Sequence, residues 1–379
     1  MEKVFEIGSI RPPSEAASLM LRITRNCSWN KCKFCNLYKG QNFSTRPIED
    51  IKADIDQIAL IVNNIIDWTS SSMIPSMKLD EKLRSLPPEI TQRYLHVMQW
   101  MSYRKMSVFL QDANTLVLSF DKLLEMLCYL REKLPQIKRV TSYARVDALA
   151  KFTVQELTQL REAGLDRIHA GYESGSDAVL ELISKGYTKA QEIEAGQNVK
   201  ASGIELSIYY MPGVGGKNLS DDNAIQTADV INKINPDFVR IRTFIPRPET
   251  AIIDDINAGL IKECTDLEKL LELKKMIENI DGADGRLYSD HIINLFEGIY
   301  GNMKTDKKKM LSVIESFEKL DVQNQRRYQA ARRMGLAGSL DGMELLDIEE
   351  SEMIDQHLSQ YTTQEDFESF LLKHLYSYI

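Results

Sequence analysis

Three cysteines stand within nine residues near the start of the chain: Cys27, Cys32 and Cys35. Thiolates at this density are typical of metal ligands, and an iron-sulfur cluster that keeps one iron free needs three of them. A structural zinc site needs four ligands, and the next candidates along the chain, His96 and Cys128, are too distant for a compact zinc ribbon. The spacing therefore favours a cluster whose free iron can bind a small molecule, with zinc as the alternative.

Cysteine usage and charge indicate where the protein works. Five cysteines, an odd number with three crowded together, do not form a disulfide framework and fit a reducing compartment. The first residues are too acidic for a signal peptide, and no apolar run approaches the ~20 residues that a membrane helix needs. A net charge of -8 makes nucleic acid an unlikely partner, because binding it relies on clustered Lys and Arg. We expect a cytoplasmic protein with no membrane span.

An alternation of strands and helices predicts an α/β fold. Short apolar runs alternate with amphipathic helices, and a capping box at Thr153 and Glu156 begins one helix that Gly164 ends. This alternation implies a parallel sheet. The six predicted strands cover residues 18–24, 106–111, 138–144, 166–172, 204–211 and 237–244.

The pattern divides the chain into two parts. We expect one domain over residues 1–250, interrupted by a helical insertion at 67–105. After residue 250 the strand signal disappears, so 251–379 is predicted to be helical and suits a cap over the strand ends. Its acidic segment, 343–355, is typical of a solvated face or a mobile tail. The helices predicted in this part cover residues 265–280, 306–319, 322–334 and 364–377.

Polar residues recur at the carboxyl ends of the predicted strands, where the loops of parallel α/β folds converge. The second strand ends at Gln111 and Asp112, the third at Arg145, and the fourth at Glu173 and Ser174. Because Glu173 directly follows an apolar strand, its carboxylate needs a partner, either an arginine such as Arg145 or a cationic ligand. The glycine turn after the fifth strand permits close approach of a flat ring or phosphate, or simply makes a tight turn.

Together these residues resemble the radical S-adenosylmethionine (SAM) superfamily. The resemblance covers residues 10–250 and is strongest in the cysteine loop, with aromatic Phe34 before the last cysteine, and in segment 171–177. That segment is similar to the branch with methylthiotransferases, the Elongator radical subunit and oxygen-independent coproporphyrinogen oxidase, in which the chain resembles a bacterial subgroup. The resemblance implies a partial (βα)6 barrel of TIM type with a helical C-terminal extension. One departure is that four residues separate Cys27 from Cys32, where the family motif has three.

The resemblance also implies cofactors and chemistry. The three cysteines would bind three irons of a 4Fe-4S cluster, and SAM the fourth. One electron, from a low-potential donor such as flavodoxin or ferredoxin, would break SAM into methionine and a 5′-deoxyadenosyl radical that takes a hydrogen atom from a substrate. The residues implied to contact SAM are Gln111 and Asp112 (amino group), Arg145 (carboxylate, or a substrate anion), Glu173 and Ser174 (ribose), and Phe34, Met211 and Gly213 (adenine).

The expected substrate is a small molecule or lipid-like compound. Two alternatives stay open, a non-catalytic iron-sulfur or zinc binding module and a radical enzyme that modifies RNA or a peptide. Two further cysteines, Cys128 and Cys264, are expected to be small buried hydrophobes rather than ligands. Candidates for the substrate pocket in the helical part are Asp290, His291, Arg326 and Tyr328, with a structural role as the alternative for His291.

Overall fold

The computed structural model describes residues 4–70 and 75–376, with side chains for all of these except 75 and 76. Residues 71–74 of the predicted insertion and three residues at each end of the chain lie outside this range. The fold is α/β with a mostly parallel sheet, as predicted, consistent with a partial TIM-type barrel and a helical extension. No described helix is long and apolar enough to cross a membrane. The chain forms two compact units.

The first unit comprises the described residues up to Asn30, Tyr38–Ala170 and Asn198–Glu205. Its strands are β1 (Leu19–Arg22), β2 (Thr24–Arg25), β3 (Ser44–Thr45), β4 (Ser107–Gln111), β5 (Arg139–Ala144) and most of β6 (Leu165–Glu173). Its helices are α1 (Ile48–Ser70), α2 (Pro75–Arg84), α3 (Pro88–Ser102), α4 (Phe120–Lys133), α5 (Val146–Leu149) and α6 (Val154–Glu162).

Parallel pairing in the order β1, β4, β5, β6 forms the sheet of this unit. Every residue of β4 is buried, as expected for a strand covered on both faces. The capping box at Thr153 and Glu156 is present at the start of α6 and confirms that prediction. In the predicted insertion, α3 contacts α1 and β1, and Trp100 of α3 donates a hydrogen bond to the Ser107 carbonyl at 2.8 Å. The described helices of the insertion therefore pack on the α/β core.

The second unit comprises Lys31–Leu37, Gly171–Gln197 and the described residues from Leu206 onward. Its strands are the end of β6, β7 (Glu205–Tyr210), β8 (Phe238–Ile241), β9 (Arg286–Tyr288) and β10 (Tyr300–Asn302). Its helices are α7 (Asp177–Leu182), most of α8 (Lys189–Ala201), α9 (Gly216–Ile234), α10 (Ile252–Asn257), α11 (Asp266–Asn279), α12 (Lys307–Glu318), α13 (Val322–Arg333), α14 (Ile348–Ser359) and α15 (Gln364–Tyr376).

One expectation about the region after residue 250 is wrong. The strand signal does not end there, because β9 pairs in parallel with β8 and β10 pairs antiparallel with β9. Each of these strands has only three residues, too few for an alternating pattern to register in the sequence. The acidic segment fits the first of its two expected forms, a solvated face: its second half belongs to α14, which begins with a capping box at Asp347 and Glu350, buries Ile354 and exposes most of its acidic side chains. A domain boundary at residue 250 stays a prediction.

A buried ion pair in the first unit makes the free energy of unfolding depend on pH. Glu15 is 1% exposed and receives contacts from His169 at 3.1 Å, Arg139 at 2.8 Å and Ser18 at 2.6 Å. Burial acts to raise the pKa of Glu15, but the hydrogen bond from His169, the charge of Arg139 and the hydrogen bond from Ser18 outweigh it and lower the pKa to about 2. Glu15 therefore stabilises the fold as a carboxylate.

Because the folded-state pKa lies below the ordinary value of 4.5, this contribution is complete above pH 4.5 and is lost as the pH falls toward 2. We expect Glu15→Gln to remove about 3 kcal/mol of pH-dependent stability over that interval. Urea unfolding of both proteins at pH 6, 4 and 3 measures this, with Glu205→Gln, an exposed partner of Arg167, as control. Parallel stability curves for wild type and Glu15→Gln would contradict the assignment.

Candidate functional site

The loop that carries Cys27 begins directly after β2 and is shaped by two asparagines. Asn26 and Asn30 both have left-handed backbone, with φ of 67° and 50°, a conformation that asparagine tolerates better than most residues. The Asn30 amide donates to the Cys27 sulfur at 3.4 Å, and its side chain donates to the Tyr38 carbonyl at 2.6 Å. Hydrogen bonds to ligand sulfurs are a feature of iron-sulfur sites, where they tune the cluster.

Asp112 holds this loop from the end of β4. Its carboxylate is fully buried and accepts hydrogen bonds from Arg22 at 2.6 Å, the Tyr38 hydroxyl at 2.9 Å and the Asn26 amide at 3.2 Å. Burial raises the pKa of Tyr38, and the Asp112 charge raises it further, so the phenol stays protonated as a donor. The neighbouring Gln111 is also fully buried.

The Gln111 side chain anchors the N-terminal segment. It accepts a hydrogen bond from the Gly8 amide at 2.8 Å and donates one to the Ile10 carbonyl at 2.5 Å. Both Gln111 and Asp112 thus have partners within the protein: Asp112 positions the chain before Cys27, and Gln111 positions the N-terminal segment. Their predicted contact with the SAM amino group stays a prediction.

Arg145 follows β5 and contacts the middle of the loop that carries Cys27. Its amide donates to the Asn114 side chain at 3.1 Å, and its guanidinium lies 5.1 Å from the centre of the Trp29 ring and 2.8 Å from Asp147. The Asn114 amide group donates in turn to Ser28 at 2.9 Å. Arg145 is 6% exposed, and its predicted role toward a carboxylate stays a prediction. Sequence reasoning missed Trp29 and Asn114, whose contacts only the fold creates.

The Cys32 and Cys35 pair lies in the second unit. The Cys35 amide donates to the Cys32 carbonyl at 3.4 Å, which closes a tight turn. Between them, Lys33 donates its amide to the Ile183 carbonyl at 3.0 Å and its ammonium to Asp255 at 2.7 Å. The pair is therefore fixed by backbone and charge contacts on both sides.

Glu173 terminates β6 with a left-handed backbone, at φ 67°. Its carbonyl accepts from the Met211 amide at 2.9 Å, and its carboxylate lies 3.2 Å from the Lys185 ammonium. Lys185 also donates to the Gly171 carbonyl at 2.7 Å and lies 5.8 Å from the Phe34 ring centre. The required cation is thus a lysine of the second unit, which sequence reasoning missed.

Phe34 and Met211, both implied to contact adenine, meet in one apolar cluster around Val179 and Ile183. Ser174 is buried, and its hydroxyl accepts from the Ser176 amide at 3.0 Å, so it shapes the turn before α7. The structure therefore brings together the Phe34 and Met211 side chains and joins Met211 to Glu173 through the backbone. Their roles toward SAM stay predictions.

Gly213 has φ 86°, a conformation in which glycine is favoured. Its amide donates to Glu272 at 3.0 Å, and the same carboxylate accepts from Tyr210, Ser220 and Asn223 at 2.8, 2.6 and 2.6 Å. Burial raises the pKa of Glu272, while these four donors act to lower it. Glu272, which no local motif marks, thus fixes the glycine turn.

The C-terminal candidates have mixed outcomes. Tyr328 is fully buried, donates to the Leu295 carbonyl and stacks on Phe296 with ring centres 4.6 Å apart, so it belongs to the core. Burial lowers the pKa of His291 to about 4, and nearby Arg242 adds to the effect, so this histidine is neutral at pH 7.

The other two candidates have charged or aromatic partners. Asp290 pairs with Arg240 at 3.0 Å. Arg326 lies 4.3 Å from the Phe367 ring centre and donates to the Tyr361 carbonyl at 2.7 Å. Both side chains thus have partners within the protein, and their predicted part in a substrate pocket stays a prediction.

The remaining cysteines differ from each other. Cys264 is buried, as expected, and burial raises its pKa. Cys128 is exposed, so the expectation that it is buried is wrong; it lies on the outer face of α4. Exposure on α4 does not make Cys128 a metal ligand.

The donor set suits a 4Fe-4S cluster. Cys27, Cys32 and Cys35 are not joined in disulfides, and the Cys27 sulfur already accepts an amide hydrogen bond. Among the described residues, no three His, Cys, Asp or Glu side chains converge on one metal ion. A cluster does not require such convergence, because each thiolate binds a different iron. The three cysteines are the residues that would hold it.

Parts of the chain are similar to curated proteins whose names place them in tRNA modification. The chain is 24% identical over 233 residues to the tRNA-2-methylthio-N(6)-dimethylallyladenosine synthase of Syntrophus aciditrophicus, covering 59% of this chain and 48% of that protein. It is 30% identical over 88 residues to the tRNA uridine(34) acetyltransferase of Methanocaldococcus jannaschii, covering 23% and 16%. The chain thus spans about half the length, or less, of these curated relatives.

Solved structures are similar at a lower level. Elp3 of Methanocaldococcus infernus has a TM-score of 0.43 and 15% identity, covering 60% of this chain and 57% of that one. Coproporphyrinogen III oxidase (HemN) of Escherichia coli has a TM-score of 0.40 and 13% identity, covering 64% and 52%.

The family model of the radical SAM superfamily matches residues 21–228, more than half of the chain. This range contains the whole cysteine loop, the Glu173 strand end and the glycine turn after β7. Members of this superfamily are enzymes that use a 4Fe-4S cluster and SAM and need an electron donor. With its three cysteines inside that match, the chain belongs to the radical SAM superfamily.

Proposed function

We propose that this protein generates a 5′-deoxyadenosyl radical and uses it to take a hydrogen atom from a small-molecule or lipid-like substrate. The observation that carries the proposal is the loop with Cys27, Cys32 and Cys35 inside the matched family range. When bound, the cluster supplies one electron that splits the carbon-sulfur bond of SAM into methionine and the radical.

The residues of the chain position this chemistry. Asp112 and Asn30 hold the segment around Cys27, and Lys33 holds the Cys32 and Cys35 pair. Phe34 and Met211 offer an apolar surface suited to the adenine ring.

Glu173 offers a carboxylate oxygen for the ribose hydroxyls. The Lys185 ammonium, 3.2 Å away, holds this carboxylate in place.

The acidic charge of the chain supports a small substrate. A net charge of -8 gives little electrostatic attraction for a polyphosphate backbone. RNA is the second candidate, because the curated relatives named above act on tRNA. Since the chain spans half of their length or less, their substrate does not transfer automatically.

Anaerobic reconstitution tests the proposal. We expect about four irons per chain, as one cluster requires, and release of 5′-deoxyadenosine and methionine when SAM and dithionite are added. Deuterated candidate substrates should pass deuterium into 5′-deoxyadenosine. Cluster formation without any SAM cleavage would leave only a binding module, and bound zinc without broad visible absorption would contradict the cluster.

The RNA candidate has its own readout. If RNA is the substrate, bulk tRNA should bind, and its affinity should fall steeply between about 50 and 200 mM salt. The tRNA should also accept deuterium from 5′-deoxyadenosine or donate deuterium to it. If a small molecule is the substrate, tRNA should have no effect on SAM cleavage.

A further inference from the structure

Two arginines at the end of β8 lie on the same face of the sheet. Side chains alternate along a strand, so Arg240 and Arg242 share one face, and Val239 and Ile241 share the other. The Arg242 amide donates to the Tyr210 carbonyl at 2.9 Å, which continues the pairing with β7 through Arg242. Val239 and Ile241 are buried. The two arginines therefore lie opposite the apolar face of β8.

Arg242 has no side-chain hydrogen bond or ion pair among the residues that the structure describes. Its side chain is half-buried. Two other shielded arginines of the second unit have acidic partners, Arg240 with Asp290 at 3.0 Å and Arg333 with Asp266 at 2.7 Å. A guanidinium that is partly shielded from water and lacks an acid beside it attracts an anion from outside the protein.

Arg240 also has an unused hydrogen-bond donor. Its side chain is 7% exposed, contacts Asp290 through one terminal nitrogen and lies 5.4 Å from the Tyr288 ring centre. The Nε of Arg240 is buried and has no hydrogen-bond partner in the protein. Leaving a buried donor unpaired costs about 1–3 kcal/mol, so an acceptor supplied by a ligand would stabilise it.

Arg247 connects this group to the cysteine loop within the second unit. Its guanidinium donates to the Asn36 side chain at 3.3 Å, and Asn36 directly follows Cys35. Burial lowers the pKa of Arg247, and the charge of nearby Arg242 lowers it further. Glu249 acts in the opposite direction without reversing the shift. The two guanidiniums thus lie near each other, and the acids around them do not neutralise both.

His291 adds a neutral donor to the surroundings of Arg242. Its Nδ1 accepts a hydrogen bond from the Ile293 amide at 3.3 Å, so the proton of the neutral ring lies on Nε2. Asp290, the acid next to His291 in sequence, is paired with Arg240. The group around Arg242 therefore has more donors than its own acceptors can satisfy.

The position of Arg242 in the fold is one where ligands bind. Arg242 directly follows β8, which pairs in parallel with β7 and β9. In parallel α/β folds, ligands bind at the carboxyl ends of the strands. The contact between Arg247 and Asn36 places this cationic group on the side of the second unit that carries Cys35.

We propose that Arg242, assisted by Arg240 and Arg247, binds an oxyanion group of the substrate, either a carboxylate or a phosphate. A guanidinium presents two parallel N–H donors that match two oxygens of such a group. Anchoring the substrate by its anionic group would hold the rest of it in a fixed position for hydrogen abstraction. The assignment to the substrate rests on the radical function proposed above, whereas the anion site itself does not.

Thermal unfolding of the full, cluster-loaded chain tests this site anaerobically. Sodium phosphate and sodium acetate are each compared with sodium chloride at equal ionic strength. We expect at least one of the two oxyanions to raise the melting temperature of the wild type by about 2–4 °C at saturation. A response to phosphate alone assigns a phosphate group, and a response to acetate alone assigns a carboxylate.

Three variants locate the response. Arg242→Gln should lose it, and Arg242→Lys should keep only part of it, because an ammonium cannot form the paired hydrogen bonds of a guanidinium. The matched control is Arg286→Gln, which removes an exposed arginine from the start of β9 and should respond like the wild type.

SAM added without reductant distinguishes a substrate anchor from a contact to the cofactor. If Arg242 serves the substrate, the oxyanion response should persist at saturating SAM. Disappearance of the response would assign Arg242 to the SAM carboxylate and overturn the proposal.

Two further results would remove the site. The first is an equal oxyanion response in wild type and Arg242→Gln, and the second is a wild-type response to chloride as large as the response to both oxyanions. The measurement requires no SAM cleavage. A chain that shows the response but cleaves no SAM would therefore contradict the radical function and leave the anion site standing.

Discussion

Cys32→Ala is expected to abolish SAM cleavage together with the cluster. Cys32 is 8% exposed, and the adjacent Lys33 amide is tied to the Ile183 carbonyl at 3.0 Å, so no other group can move into its place. Removing a residue that hydrogen-bonds to a metal ligand already lowers metal affinity or activity by about 10–100-fold. Removing a ligand itself should therefore lower SAM cleavage by more than about 100-fold. Iron and sulfide content and the rate of 5′-deoxyadenosine formation under dithionite measure the effect.

Cys128→Ala is the matched control. Cys128 is an exposed thiol on α4, so its removal should leave iron content, visible absorption and turnover at the wild-type level. Cys27→Ala and Cys35→Ala should behave like Cys32→Ala. Full iron content and turnover in Cys32→Ala would show that the ligand assignment is wrong and that the longer gap before Cys32 has changed the site.

Asp112→Asn is expected to have the second largest effect. The substitution removes the charge that Arg22 contacts at 2.6 Å and weakens the hold on Tyr38 and Asn26. Breaking a buried ion pair costs about 3 kcal/mol when the other charge is left uncompensated, and the cost here should be smaller because Arg22 keeps a second partner, Glu6, at 2.8 Å. Since Asn26 precedes Cys27, iron retention should fall with stability.

Two kinds of measurement distinguish a positioning role of Asp112 from direct SAM contact: stability with iron content, and KM for SAM. A positioning role lowers the free energy of unfolding and the iron content, which urea unfolding and iron analysis measure. If Asp112 instead serves only the SAM amino group, the variant will keep its stability and iron while KM for SAM rises. Glu205→Gln, which removes the exposed partner of Arg167, is the control and should cost less than about 1 kcal/mol.

Local spacing is what made part of this protein predictable. The cysteine triplet, the capping box at Thr153 and Glu156, and the alternation of strands and helices each occupy a few neighbouring residues, so the sequence displays them directly. The requirement that Glu173 has a cation also follows locally, because a carboxylate directly after a buried strand cannot stay unpaired. The local sequence does not identify the residue that supplies this cation.

Short strands and solvent exposure were harder to predict. Three-residue strands such as β9 and β10 form because β8 offers an edge, and their own residues carry no period. Cys128 stands among apolar neighbours on α4 yet faces outward, since successive helix residues are rotated by about 100° and one turn of an amphipathic helix therefore includes solvent-facing positions.

The sequence by itself determined the cofactor class, because the ligands of the cluster are three thiolates on one short loop whose spacing is fixed by covalent bonds. Only the tertiary structure decided what surrounds them: Lys185 beside Glu173, Trp29 against Arg145, Asp112 on Asn26, and Lys269 over Gly213. Many of these partners are tens of residues apart along the chain. Their meeting depends on how whole strands and helices pack, and a local pattern contains no record of that packing.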